Sequence, residues 1–186
     1  MLIEKPFPEV ADEVVSAFAI HLRLPEGFGA SAERNGALRR TLAAATQAVE
    51  ARAGRTLLRR RLVARIDAWD GEGGWSFPTA PVASVEALTL VEGDGRRAPV
   101  ARERLRLRPG EPPRLSFEGA APRIPSGGWA ELAFLAGYGA WSDGPPDLRQ
   151  AAFLLAANLY EDPLGRAESW TPGVKALLAP YRRARL

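Results

Sequence analysis

Apolar residues recur along this chain with two different periods, and the switch between them divides it. Val10, Val14, Phe18 and Leu22 fall four apart and line one side of a helix predicted over residues 10–22, with Asp12 and Glu13 at its positive end and His21 closing it. LPEGFGA (24–30) breaks the pattern. A second helix is predicted after Ser31, a good N-cap, with Leu38, Leu42, Ala45, Val49 and Ala53 on one face until Gly54 ends it. The period then falls to two: Leu62, Ala64, Ile66 and Ala68 alternate with Arg61, Val63, Arg65 and Asp67, as in a strand with one buried face. SVEALTLVEGDG repeats the rule and ends in a hairpin turn at Gly93, Asp94 and Gly95. Further strands are predicted at 104–108, 114–117 and 129–136, separated by Pro109, Pro112, Pro113, Pro122 and Pro125, which suit edges and loops. Helical spacing returns after GYGAWSDGPP: Leu148, Ala152, Leu155 and Leu159 form a stripe that Asp162 and Pro163 stop, and a last short helix after Pro172 gathers Val174, Leu177, Leu178 and Tyr181.

This layout predicts an α+β fold in one domain over residues 1–186. A small bundle of the N- and C-terminal helices (about 10–54 and 146–182) carries an inserted β-rich block at about 56–139. With 186 residues, 46% of them hydrophobic and 25% charged, the chain can bury a proper core. It holds no cysteine, so neither disulfides nor thiolate metal sites are available, which fits a reducing compartment. Glu4, Pro6 and Pro8 stand where a signal peptide needs an apolar stretch, and the longest apolar run, AAFLLAA (151–157), is too short to span a bilayer; a soluble protein without a membrane partner is expected.

Candidate chemistry is sparse. His21, the sole histidine, lies at a helix end with no cysteine in the chain and no G-x-S-x-G elbow, so no catalytic residue is assigned. There is no phosphate loop, and GEGG (71–74) reads as a turn. Asp67, Asp70 and Glu72 do not have the spacing of a cation-wrapping loop and read as solvated strand-end charges, so neither a metal nor a cofactor is expected.

The net charge is +3 and the pI near 9.8, with Lys5 and Lys175 the only lysines. Arginine forks onto phosphate and carboxylate and tolerates burial at interfaces. Its two clusters are Arg55, Arg59, Arg60, Arg61 and Arg65, then Arg96, Arg97, Arg102, Arg104, Arg106 and Arg108. Alternation along strands sends neighbouring arginines to opposite faces, so neither run is expected to make one uniform basic stripe. They are read either as a solvated sheet face or as a surface near DNA backbone, with Arg59, Arg60 and Arg61 the DNA-proximal candidates. The ending ALLAPYRRARL is either a closing helix packed on its own bundle, with arginines at the negative helix end, or a docking segment.

The order of features resembles the head-tail connector (adaptor) proteins of long-tailed phages and of phage-like gene transfer agents. HLR (21–23), VEARAGRTL (49–57), a strand ending at Trp69, FPTAPVASVEALTLVEGDG (77–95), AGYG (136–139), PPDLRQAAFLLAANLYED (145–162) and PGVKALLAPYR (172–182) carry the resemblance across nearly the whole chain. The loop after HLR and the Pro- and Arg-rich block 96–128 depart from it. The resemblance implies a structural virion protein rather than an enzyme, placed in the particle neck and assembled in the host cytoplasm. It would form a ring of about twelve copies under the portal protein, meet a stopper protein on its other side, and let double-stranded DNA pass without reading its sequence. It also implies that the segment from about 172 to 186 reaches the portal, with Val174, Leu177, Leu178 and Tyr181 as apolar anchors and Arg182, Arg183 and Arg185 pairing with acidic groups. The alternative is a non-specific DNA-binding protein using its arginine-rich strands.

Overall fold

The change of period near residue 56 is a change of architecture. The computed structural model describes residues 2–4, 7–25, 32–71, 73–164 and 168–181. The chain divides into a helical unit, Phe7–Leu58 with Gly139–Leu186, and a sheet unit, Met1–Pro6 with Arg59–Tyr138.

In the helical unit, α1 (Asp12–His21) buries Val14, Val15 and Phe18, with Val10 buried just ahead of it. α2 (Ala32–Ala53) buries Leu38, Leu42, Ala45, Val49 and Ala53, the stripe its spacing predicts; the N-cap expected at Ser31 lies outside the described residues. Thr46 is also buried on α2, and its hydroxyl donates to the Leu42 carbonyl at 2.7 Å, which leaves no unmet polar group there. Gly54, at φ 62°, takes the left-handed conformation that ends the helix. The chain then folds back over Glu50, whose buried carboxylate accepts from the amides of Leu57 at 2.5 Å and Leu58 at 3.2 Å. A buried carboxylate is tolerated only with such donors, so this exit loop is held by the helix it leaves. α3 (Pro146–Glu161) starts with a proline in its first turn and buries Leu148, Ala151, Ala152, Leu155 and Ala156; Leu159 is only half-buried. α4 (Pro172–Leu178) follows, then a 3₁₀ turn at Ala179–Tyr181. α2 packs on α1 and α3, and α4 on α3.

The sheet unit has two antiparallel sheets. The larger runs β1 (Leu2–Glu4), β2 (Arg60–Ile66), β8 (Trp129–Ala136), β4 (Val82–Val91), β5 (Arg97–Val100) in that spatial order; the smaller runs β3 (Trp75–Ser76), β7 (Arg114–Phe117), β6 (Leu105–Arg108). Their facing side chains share one core, with Leu62, Phe77, Leu88, Leu115, Leu132 and Phe134 at its centre. Phe77 meets Phe134 edge-on at 4.9 Å and Trp75 at 5.2 Å, the geometry favoured by aromatic quadrupoles. Fully burying each such side chain contributes about 1.5–3 kcal/mol.

The strands expected at 114–117 and 129–136 form with those bounds, and GDG makes the β4–β5 turn. Two points differ, besides the strand expected at 104–108, which begins at Leu105 after a 3₁₀ turn at Arg102–Arg104. β2 ends at Ile66, so Ala68, expected in the strand, is exposed. β1 is three residues long, too short for alternation to register, and gains its place by pairing with β2. β8 is the hub of the larger sheet, bonded to β2 on one side and β4 on the other, and so its alternate positions Ala130, Leu132, Phe134 and Ala136 are all buried. Among the described residues of the sheet unit proline keeps to the edge strand β5, as Pro99, and to connections. The protein is an α+β structure, and no helix among the described residues is long and apolar enough to cross a membrane.

Candidate interaction surfaces

The C-terminal segment is committed to its own bundle as far as Tyr181. Val174 is 0% and Leu178 2% exposed, both in the core of the helical unit, while Leu177 and Tyr181 are half-buried. The Tyr181 hydroxyl donates to Asp147 Oδ1 at 2.9 Å, and the Arg55 guanidinium lies 5.7 Å from the centre of its ring. Four apolar anchors on one free face are therefore not what the fold presents. Period-3.6 spacing turns Val174 and Leu178 to the same side, and α3 already occupies that side. Arg182, Arg183 and Arg185 lie outside the described residues.

The three DNA-proximal candidates do not form a patch either. Arg60 shares the parity of Leu62 and Ala64, so it turns to the core face and is 9% exposed. Arg59 donates to the carbonyls of Gly137 at 3.3 Å and Tyr138 at 2.6 Å, tying the start of β2 to the end of β8. Arg61 donates to Glu86 Oε2 at 2.5 Å.

On the outer face of the larger sheet, register brings together residues that are far apart in sequence. Arg65 sits opposite Glu131 across the β2–β8 pair, and Glu131 sits opposite Thr89 on β4. Arg97 reaches Glu131 from β5 with both terminal nitrogens, Trp129 Nε1 donates to Glu131 Oε1 at 3.1 Å, and the Arg65 guanidinium covers the Trp129 ring at 4.1 Å. The hydrogen bond from Arg97 is the main reason the Glu131 carboxyl is held below the usual range, with the Trp129 bond and the charges of Arg97 and Arg65 adding to it against partial desolvation. The same contact raises Arg97. Sequence alone does not single out Glu131: its polar place in an apolar strand is visible there, but its partners need the topology.

The arginines of 96–108 do not form one stripe, since Arg97 lies on β5 of the larger sheet and Arg102 and Arg104 in a 3₁₀ turn, but part of the run shares a face of the smaller sheet. Arg106 and Arg108 are two apart on β6, and Arg114 is the register partner of Arg108 on β7. All three project from the face opposite Leu105, Leu107, Leu115 and Phe117, which turn to the core. Ser116 and Ser76 lie between them: Arg108 Nε donates to Ser116 Oγ and Arg114 Nη1 to Ser76 Oγ, each at 3.2 Å. Arg106 pairs with Glu118, and Arg114 lies 3.6 Å from Asp70. Three cations thus share one flat, polar face.

The remaining candidates have structural partners. His21 sits in an aromatic group, its ring 5.5 Å from Phe153 and 6.4 Å from Phe18, with Trp141 stacked on Phe153. Asp67 pairs with Arg65, and Asp70 accepts from Ser76 at 2.9 Å; Glu72 lies outside the described residues. Among the described residues no group of three or more histidine or carboxylate side chains could hold a metal ion.

Neither a protein-family model nor a curated protein sequence matches the chain. Solved structures do, each over 100% of this chain and 97% of the matched one. The chain is 40% identical, with a TM-score of 0.86, to one in the neck of an empty gene transfer agent (GTA) particle computed with C6 symmetry. It is 40% identical, with a TM-score of 0.82, to a chain in the virion of a native GTA particle. To a chain in the neck of a native GTA particle computed with C12 symmetry it is 37% identical, with a TM-score of 0.75.

Proposed function

This chain belongs to the neck proteins of gene transfer agent particles, and from that premise we propose that it is the head-tail adaptor of such a particle. Copies of it form a ring beneath the portal protein, present a platform to the stopper protein and the tail, and leave a central hole for DNA. The observation that carries this reading is likeness over the full length, through both the helical and the sheet unit, to chains in particle necks computed with six- and twelvefold symmetry. A ring is a closed heterologous assembly, so each copy presents two different surfaces to its neighbours, and a chain with two separately cored units has surfaces of both kinds to offer. The role is structural: the chain joins other proteins and performs no reaction.

Docking on the portal falls to the end of the chain. Because Val174 and Leu178 close the helical core, the docking segment is narrower than periodicity suggests: half-buried Leu177 and Tyr181 form its base, and Arg182, Arg183 and Arg185 supply charge-assisted bonds to portal carboxylates. The test is a chain ending at Tyr181, which keeps every buried residue of α4. It should fold with unchanged thermal stability and yet fail to bind purified portal or to enter particle necks, as scored by electron microscopy. Native affinity of the shortened chain for portal would remove the docking role from residues 182–186.

A further inference from the structure

We infer that the outer face of the smaller sheet, carried by Arg106, Arg108 and Arg114, is a contact surface for the phosphate backbone of duplex DNA. The inference rests on the neck reading, which places DNA beside the chain, and goes beyond it by assigning the face. On a strand, residues two apart stand about 7 Å from one another, and neighbouring strands lie about 5 Å apart, so the three guanidiniums form a compact flat array. Duplex DNA offers one negative charge per about 1.7 Å of its axis, a density such an array can meet in many registers.

Composition of the face decides between DNA and an acidic protein as the occupant. Between the arginines stand Ser76 and Ser116, and every apolar side chain of β6 and β7 turns to the core. A specific protein interface is organised around a buried apolar or aromatic centre, which this face lacks among the described residues. Phosphate contacts need only charge and reach. Arg108 has no carboxylate partner among the described residues, only Ser116, and exposed Arg102 has none either. The stretch 102–123 carries six arginines against three glutamates, so the local balance stays positive although Glu118 and Asp70 neutralise part of it. Partial neutralisation suits a surface past which DNA moves, since it keeps single contacts weak.

The test compares the full chain with Arg106→Gln/Arg108→Gln, keeping Arg114 because it also holds Asp70 and Ser76. Binding of a fluorescent mixed-sequence duplex is followed by anisotropy over a salt series. The unaltered chain should bind at low salt, and the double variant should flatten the plot of log K against log salt by roughly 1 to 2: about 0.9 for Arg108, and up to the same again for Arg106, which Glu118 partly neutralises. Arg59→Gln/Arg61→Gln, at the start of β2 in the larger sheet and away from this face, should leave the slope unchanged. No duplex binding at low salt, an unchanged slope in the Arg106/Arg108 variant, or a weakening that follows Arg59/Arg61 instead would each overturn the assignment. The same variants are then scored in particles. Wild-type occupancy of the neck by the Arg106/Arg108 variant is expected. Its disappearance from necks would mean that the face holds a protein, which ends the DNA assignment and spares the neck role, whereas necks lacking the unaltered chain would end the neck role itself.

Discussion

Whether α4 is a fixed part of the bundle or a tail that docks can be decided by Leu178→Ala. Leu178 is 2% exposed and sits one turn beyond the fully buried Val174, so truncation leaves a cavity in the helical core. Leucine-to-alanine changes at such sites cost about 2–5 kcal/mol, and about 3 kcal/mol is expected here because α4 is a terminal element with some freedom to relax. The helical unit has roughly a hundred residues, for which each kcal/mol moves the midpoint by about 4–8 °C, so the helical transition should fall by roughly 12–24 °C. Far-UV circular dichroism of the isolated protein reports that transition, whereas near-UV signal reports both units together, since Trp141 and Trp170 lie in the helical unit and Trp69, Trp75 and Trp129 in the sheet unit. Leu177→Ala, at a half-buried position, should cost less than about 1.5 kcal/mol and is the internal control. A destabilisation below about 1 kcal/mol for Leu178→Ala, or equal effects at the two positions, would show that α4 does not close the core, and the docking segment would again extend to residue 172.

Two further predictions concern the sheet unit. A β-carbon at Gly128 would run into the Val91 carbonyl oxygen, so Gly128→Ala should destabilise the sheet unit by about 1–3 kcal/mol in urea unfolding, with no change of the helical transition. Because Arg97 holds the folded Glu131 carboxyl below its ordinary value, that pair's contribution to stability is present above the ordinary glutamate range, near pH 4, and is lost as the pH falls through the lower folded value; Glu131→Gln should therefore flatten the acid limb of stability against pH, and an unchanged limb would show that the pair contributes nothing.

Much of the architecture is readable from spacing alone. The stripes of α1 and α2 and the bounds of β7 and β8 follow from one apolar face each, a signal local to the element. What spacing cannot supply is the partner of a face. The stripe of α4 reads the same whether it meets its own bundle or a foreign groove, and only the position of α3 settles that Val174 and Leu178 are inside. The three-residue β1 exists because β2 offers it an edge, and the Glu131 group exists because β5, β4, β8 and β2 lie side by side. The arginine face is obscured for a different reason: alternation taken over whole runs hides the shared parity of Arg106 and Arg108, which puts them on the same side.

Arginine clustering along the chain does not by itself say which guanidiniums are left exposed. The stretch 52–65 spends its guanidiniums internally: Arg52 on the Trp170 ring, Arg55 on Tyr181, Arg59 on two carbonyls, Arg61 on Glu86, Arg65 on Asp67 and Trp129, while Arg60 is buried. Each bond made within the fold lowers the charge available to a polyanion and raises the cost of turning the side chain outward. On the smaller sheet Arg106 pairs with Glu118 and Arg114 with Asp70, while Arg108 meets only the Ser116 hydroxyl and keeps its charge without a carboxylate beside it among the described residues. Two functions with opposite demands can then share one basic chain. Static docking calls for strong, bidentate partners, proposed for the arginines beyond Tyr181, and passage of DNA calls for exposed cations on a face without apolar grip, proposed for Arg108 and its partly neutralised neighbours Arg106 and Arg114.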